Sequence, residues 1–372
     1  MNAPVNIADR DLAAPRLETS QTLGIIDCDV HPYPRAGALN PYLSERWRKH
    51  IFEYGKFNCG IYADRGTYPR FSPNTCRRDA WPPGGGLPGS DVGYIRDQLL
   101  DPYNIAYGLL EPLLGANTSR NLDEAAALCT AMNDWQANDF VDVDPRLRAS
   151  ILVPQDDPPA AIKEIEKRSG DWRFCQIQLG SKTSEPLGRR RYWPIFAAAV
   201  EHGLSIGLHI GGTQSSAPSA GGWPQFYLED HQVLSHSMQN QATSLILEGV
   251  FDAFPTLKVV LIEGGFAWAP TLGWRLDNHW AKMRDEVGAL KRKPSEYMKT
   301  NLWFATQPVE EPEHPEDLRK IFDWIGWDRM MYSSDYPHWD FDDPHLAFRF
   351  QMTETEKRML FRDNALDVYT FR

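Results

Sequence analysis

The sequence predicts an α/β protein, a (β/α)8 TIM barrel with an irregular insertion after its first strand. Short apolar runs alternate with helical stretches along the chain, and eight such runs follow one another from residue 24 onward. Parallel strands that are buried on both faces have this continuous apolar character. A length of 372 residues suits one barrel domain with long loops.

The first strand lies within Gly24 to Pro34 and ends in polar residues. Proline removes the backbone donor that a central strand needs, so the prolines that begin at Pro32 end the strand. Asp27, Asp29 and His31 are spaced two residues apart, which predicts that their side chains leave one face of the strand. A carboxylate and an imidazole at one strand end can both reach a single divalent ion.

The remaining seven strands are expected at similar intervals. They are predicted at 106–112, 148–154, 174–179, 204–210, 257–263, 302–306 and 330–335. Helices are predicted between and after them, at 123–139, 158–168, 193–201, 242–254, 270–285, 315–324 and 353–369.

Four segments make up the predicted domain organisation. Residues 1–23 form an N-terminal arm without periodicity, and residues 24–372 form the barrel. Within the barrel, the insertion 35–90 is irregular and rich in aromatic, proline and glycine residues, which favours a cover over a site. The segment 213–239 is expected to be a lid loop over the same face.

Polar residues stand at the carboxyl ends of three later strands. His209 ends the fifth strand, Glu263 the sixth and Asp335 the eighth. The alternation of the sixth strand predicts that Glu263 shares the inward face with Val259 and Leu261. Active sites of TIM barrels lie at the carboxyl ends of their strands, so these three side chains are candidate functional groups.

A shared metal ion would explain why so many polar groups face inward. Each unpaired polar group in a packed barrel would cost about 1 to 3 kcal/mol. Asp29, His31, His209 and Asp335 supply two carboxylates and two imidazoles, a set suited to one divalent ion, Zn or Mn, with a position left for water or substrate. These four residues are the predicted metal ligands.

Four more residues are weaker candidates for substrate binding. His338 either lines the pocket or caps the turn after the eighth strand, and Gln178 either bonds substrate or fills the barrel. Trp223 and His231 lie in the predicted lid loop, where a solvated position is the alternative for His231.

Composition favours a small-molecule substrate over nucleic acid or a membrane as the main partner. A net charge of -11 disfavours nucleic acid and anionic membranes as partners. No apolar run reaches the roughly 18 residues of a membrane span, and no leader pattern precedes residue 23. The five cysteines form no C-x-x-C pair, which favours reduced thiols and a cytoplasmic protein.

Four motifs carry a resemblance to a known family. They are Ile-Asp-x-Asp-x-His on the first strand, His209 followed by glycines, Ile-Glu-Gly-Gly on the sixth strand, and Tyr-Ser-Ser-Asp-Tyr-Pro-His on the eighth. The chain thereby resembles the amidohydrolase superfamily, in its amidohydrolase-related branch that contains aminocarboxymuconate-semialdehyde decarboxylase and aromatic acid decarboxylases. The resemblance implies the same four metal ligands and a homodimer or higher homo-oligomer.

The chain departs from the family pattern at two positions. Asp29 stands where the family commonly has His or Glu, and Glu263 stands where it usually has a His beside the metal-bound water. Glu263 could therefore act as a general base, or it could be a structural brace paired with an Arg or Lys.

The favoured function is metal-dependent hydrolysis of a small organic substrate by metal-activated water, with Asp335, Glu263 and His209 as catalytic residues. The alternative is a metal-dependent, non-oxidative decarboxylase of an aromatic or enoic acid. A third possibility is a non-catalytic barrel that binds a ligand. Release of carbon dioxide distinguishes the first two.

Overall fold

The strands form one parallel sheet that follows chain order. The computed structural model describes residues 23–54, 75–113, 119, 121–212, 219, 221–288 and 290–371. In these residues each strand from β1 to β8 is hydrogen-bonded to the next one along the chain. The strands are β1 (Ile25–Val30), β2 (Ile105–Leu110), β3 (Leu147–Leu152), β4 (Phe174–Lys182), β5 (Ser205–Gly212), β6 (Val259–Ile262), β7 (Leu302–Ala305) and β8 (Met330–Met331).

Backbone hydrogen bonds between β1 and the segment after β8 close the sheet. The His31 amide donates to the Tyr336 carbonyl (2.8 Å), and the Asp335 amide donates to the Asp29 carbonyl (3.1 Å). Val30 and Tyr336 also form an isolated parallel bridge. Closure brings the polar end of β1 directly beside the Asp335 segment. The (β/α)8 prediction is confirmed.

Helices alternate with the strands, as the sequence predicts, but a ten-residue helix, Glu45–Tyr54, also lies within the insertion 35–90 that was predicted to be irregular. They are α1 (Glu45–Tyr54), α2 (Val92–Ile95), α3 (Leu122–Trp135), α4 (Pro158–Arg168), α5 (Trp193–His202), α6 (Tyr227–Leu247), α7 (Val250–Ala253), α8 (Ala269–Lys282), α9 (Pro294–Asn301), α10 (Pro315–Ile325), α11 (Glu354–Arg358) and α12 (Asn364–Val368).

The predicted lid segment 213–239 is helical in its second half, because α6 begins at Tyr227. The Glu229 carboxylate accepts a hydrogen bond from the Gln225 amide (3.0 Å) at this helix start. Further along, Met238 and Ala242 are buried at helical spacing. Residues 213–218 and 220 lie outside the described residues, as do 1–22 of the predicted arm and 55–74 of the predicted insertion.

Two apolar clusters divide the core. The larger one packs the outer faces of the strands against the helices. The smaller one lies inside the barrel and joins residues of β1, β2, β4, β6, β7 and β8 to the C-terminal residues Ala365, Val368 and Tyr369. The C-terminal segment therefore closes the barrel at the end opposite the polar strand ends.

Candidate metal centre

Six side chains meet at the carboxyl end of the barrel. They are Asp29, His31, His209, Glu263, Asp335 and His338, and each is at most 9% exposed. They form two overlapping groups of four, each with ligand atoms within 4.8 Å of one another, and His31 and Glu263 belong to both. All four predicted metal ligands and the predicted base are thus brought together.

The imidazole of His31 is oriented by the backbone. Its Nδ1 donates to the Glu111 carbonyl (2.6 Å), so Nε2 faces Asp29 Oδ1 at 3.1 Å and Asp335 Oδ1 at 2.7 Å. Among the described residues, neither this Nε2 nor either Asp29 oxygen has a hydrogen-bond partner.

His209 repeats this arrangement on β5. Its Nδ1 donates to the Ile210 carbonyl (2.6 Å), and Nε2 lies 2.9 Å from Glu263 Oε2 and 3.9 Å from Asp29 Oδ2. Within the described chain this Nε2 also lacks a hydrogen bond. An imidazole whose Nδ1 is held by a carbonyl presents its Nε2 to a metal. The unpaired nitrogens and carboxylates therefore fit a divalent cation between them.

Glu263 reaches the site by a route that the sequence did not predict. Val259 and Leu261 pack in the outer cluster, whereas Val260 and Ile262 line the barrel interior. The prediction that Glu263 shares a face with Val259 and Leu261 is therefore wrong. The strand ends at Ile262, and a left-handed backbone at Glu263 (φ 57°) turns its carboxylate toward His209.

Asp335 also adopts a left-handed backbone, with φ of 60°. Its Oδ1 accepts a hydrogen bond from His338 Nδ1 (2.6 Å), and its Oδ2 accepts one from Gln307 Nε2 (3.0 Å). The His338 ring stacks on His31 with centroids 4.4 Å apart, and its Nε2 lies 3.2 Å from the Tyr33 hydroxyl. Non-glycine residues in this conformation carry strain that concentrates at functional sites.

Burial perturbs the charges of the site. It raises the pKa of Asp29 and of Asp335, and it lowers the pKa of His31, with nearby His338 and His209 adding to the effect. Burial opposes protonation of His209, but the contact with Glu263 and the surrounding acids raise its pKa to about 10. A bound cation would stabilise the ionised carboxylates that burial disfavours.

Asp27 does not join the site, although its spacing predicts one face with Asp29 and His31. The β1–β2 register is irregular between Asp27 and Val30, which breaks the alternation. The Asp27 carboxylate instead accepts hydrogen bonds from the Ser334 amide (2.9 Å) and hydroxyl (2.5 Å). It fixes the segment after β8 to the first strand.

The predicted substrate-binding residues lie at different depths, and their roles stay predictions. His338 is inside the cluster. Gln178 is buried and donates to the Pro112 carbonyl (3.3 Å). His231 pairs with Asp340 (3.0 Å) near the mouth, whereas Trp223 is 60% exposed.

Two site residues were absent from the sequence prediction. Gln307 comes just after β7, and its polar side chain at a strand end was a usable signal. Tyr33 lies between two prolines after His31. Its hydroxyl contact with His338 depends on barrel closure, so no local pattern indicates it.

Comparison with known proteins identifies the family. A family model described as Amidohydrolase matches residues 26–371. The chain belongs to the amidohydrolase family. The family resemblance predicted from the four motifs is confirmed, and this amidohydrolase is an enzyme of the hydrolase or carboxy-lyase type.

Several relatives of this amidohydrolase have assigned activities. It is 25% identical over 308 residues to gamma-resorcylate decarboxylase of Polaromonas sp. JS666, an alignment of 77% of this chain and 92% of that protein. It is 21% identical over 370 residues to 2-keto-4-carboxy-3-hexenedioate hydratase of Sphingobium sp., or 93% of this chain and 96% of that protein.

The barrel also has solved neighbours. 5-Carboxyvanillate decarboxylase of Novosphingobium aromaticivorans, complexed with manganese and 4-hydroxy-3-methoxy-5-nitrobenzoic acid, superposes with a TM-score of 0.67 and 22% identity. The match covers 94% of this chain and 96% of the neighbour. Among the described residues, no helix has the length and apolar character needed to span a membrane.

Proposed function

We propose that this amidohydrolase is a metal-dependent decarboxylase of an aromatic carboxylic acid. The observation that carries the proposal is the similarity to gamma-resorcylate decarboxylase over 92% of that protein's length. The buried cluster at the carboxyl end of the barrel supports it, because it offers the His and carboxylate ligands of a divalent ion.

Asp29, His31, His209 and Asp335 would hold the ion, and the manganese in the 5-carboxyvanillate decarboxylase structure favours Mn over Zn. When bound, the ion would orient the substrate's carboxylate and an adjacent phenolic oxygen and neutralise their charge. The charge of the cation would offset the repulsion between the acidic side chains of the site and an anionic substrate.

The proton comes from the Asp335–His338 pair. The 2.6 Å hydrogen bond between Asp335 Oδ1 and His338 Nδ1 holds a proton beside the ligand cluster. The proton passes to the ring carbon that bears the carboxylate. The bond to the carboxylate then breaks, its electron pair restores the aromatic ring, and carbon dioxide leaves. The Tyr33 hydroxyl lies beside His338 Nε2 and holds the imidazole ring with its Nδ1 toward Asp335.

The relatives favour this chemistry over the hydrolysis that the sequence analysis put first. Hydrolysis would need Glu263 or Asp335 to accept a proton from water, whereas decarboxylation needs a proton donor. The hydratase relative makes addition of water to an enoic acid the second candidate. The two reactions differ in whether carbon dioxide appears.

The test is an assay of the manganese-loaded protein with hydroxybenzoic acids, including 2,6-dihydroxybenzoate and 5-carboxyvanillate. We expect one carbon dioxide and one decarboxylated phenol per substrate consumed, and no turnover in Asp335→Asn. Incorporation of water without carbon dioxide would reject decarboxylation in favour of hydration or hydrolysis.

The cell compartment and assembly are also proposals. Cys28, Cys129 and Cys175 are free and buried, which supports a reducing, cytoplasmic setting. A homodimer or higher homo-oligomer is proposed from the family resemblance, and sedimentation analysis would test it.

A further inference from the structure

Glu263 is central to the ligand cluster. It belongs to both groups of ligand atoms, and in one of them it joins Asp29, His31 and His209. Asp335 is absent from that group. Among the six clustered side chains, the atoms that are buried without a hydrogen bond all belong to these three residues: both Asp29 oxygens and the Nε2 atoms of His31 and His209.

The two remaining carboxylates of the centre differ in their surroundings. Asp335 already accepts one hydrogen bond on each oxygen, from His338 and from Gln307. Asp335 Oδ1 also lies 2.7 Å from the Nε2 of His31. Glu263 Oε2 faces the Nε2 of His209 at 2.9 Å, and among the described residues this nitrogen has no hydrogen bond. Because His209 Nδ1 is held by a carbonyl, two lone-pair atoms face each other unless a cation or a proton lies between them.

A bracing role for Glu263 has little support. Among the described residues, no arginine or lysine forms an ion pair with it; its partner is His209. Its left-handed backbone (φ 57°) costs free energy, of order 1 to 3 kcal/mol for such conformations. That strain directs the carboxylate into the cluster and not toward solvent.

We propose that Glu263 is a further direct ligand of the divalent ion, in addition to Asp29, His31, His209 and Asp335, and that it favours Mn²⁺ relative to Zn²⁺. A third carboxylate, beside those of Asp29 and Asp335, makes the ligand set harder, and oxygen-rich sites suit manganese more than imidazole-rich sites do. The inference rests on the proposed metal dependence, but not on which reaction the enzyme performs.

Titration calorimetry of metal-free protein with Mn²⁺ and with Zn²⁺ tests the proposal. Glu263→Gln keeps the size of the side chain and removes its charge. We expect it to lose about 100-fold or more in Mn²⁺ affinity, since changes to outer-shell partners alone cost about 10- to 100-fold. Glu263→His should bind Zn²⁺ well and raise the ratio of Zn²⁺ to Mn²⁺ affinity by about tenfold or more.

Asp340→Asn is the matched control, because it removes one carboxylate at the mouth that pairs with His231 and belongs to neither ligand group. It should bind Mn²⁺ within about threefold of wild type. The proposal is overturned if Glu263→Gln binds Mn²⁺ as wild type does, if both variants lose affinity equally, or if wild type binds neither ion. Wild type that binds manganese but releases no carbon dioxide would reject only the proposed reaction. Circular dichroism of the metal-free variants identifies any that fail to fold. If Glu263→Gln fails to fold, the proposal is tested by Glu263→His, and an unchanged ratio of Zn²⁺ to Mn²⁺ affinity in that variant would overturn it.

Discussion

At the scale of residues, the site is built from side chains whose second polar atom is already engaged. His31 and His209 each donate a hydrogen bond from Nδ1 to a backbone carbonyl, and His338 donates one from Nδ1 to the Asp335 carboxylate. In His31 and His209 the Nε2 atom therefore faces the ligand cluster, whereas His338 shares a proton with a carboxylate. Identical imidazoles therefore have different proposed roles, because their neighbours differ.

The role of His338 gives a residue-level prediction. His338→Asn should lower kcat by about 100-fold or more, the usual size of a lost acid–base group, because the proton-holding partner of Asp335 is removed. Metal content should stay near wild type, since His338 is not among the residues proposed to hold the ion. Steady-state kinetics and elemental analysis measure both.

Tyr33→Phe is the control for this experiment, because it removes only the hydroxyl that lies 3.2 Å from His338 Nε2. A loss of a few-fold in kcat is expected. Wild-type kcat in His338→Asn would remove this residue from proton transfer.

At the scale of elements, buried polar side chains fix where helices and strands meet. Asp144 precedes β3, and its carboxylate accepts hydrogen bonds from Arg96, after α2, and from Arg146 (2.8 to 3.0 Å). Burial opposes ionisation, but the hydrogen bonds from Arg146 and Arg96 lower the pKa of Asp144 to about 2. The interaction therefore stabilises the fold only when this carboxylate is charged.

Asp144→Asn should lower the free energy of unfolding at pH 7 by about 1 kcal/mol, a figure reduced for solvent screening. A lowered folded-state pKa contributes stability above the unfolded value of about 3.9, and this contribution is lost as the pH falls toward 2. The gap between variant and wild type should thus be smaller at pH 3 than at pH 7 in urea denaturation.

Asp101→Asn is the comparison, because Asp101 also binds Arg146 (2.7 Å) but is 56% exposed on its side chain. Its effect should be within about 0.5 kcal/mol. A gap for Asp144→Asn that does not change with pH would contradict the charge-based explanation.

At the scale of the whole molecule, the barrel has a chemical end and a closed end. The carboxyl ends of the strands carry the polar cluster, while Ala365, Val368 and Tyr369 pack into the interior cluster from the other end. This separation lets the closed end provide stability while the open end carries unpaired and strained polar groups.

Tyr369→Ala should therefore lower the free energy of unfolding by about 3 kcal/mol, since Tyr369 is buried and its loss leaves a cavity. Decarboxylation at low temperature should stay near wild type because the ligand cluster is at the opposite end. Leu366→Ala, at a side chain that is 46% exposed, should change little. Chemical denaturation of wild type and of both variants, with manganese present, measures the stabilities. Equal midpoints for wild type and Tyr369→Ala would contradict a structural role for the C-terminal segment.

The sequence by itself determined the eight-strand alternation and most of the residues at the strand ends. Apolar runs, prolines and glycines are local signals, so strand positions and the polar residues that follow them, such as His31, His209 and Asp335, can be recognised without the fold. The family motifs lie on these same segments, and they also indicated the enzyme class.

Only the tertiary structure decided which atoms face each other. Strict alternation predicted the wrong face for Glu263 and included Asp27, because it cannot anticipate a left-handed residue after β6 or a register irregularity in β1. The contact between Tyr33 and His338 joins residues 305 positions apart. Such contacts depend on barrel closure and on backbone torsions set by long-range packing, and neither is encoded in a local pattern.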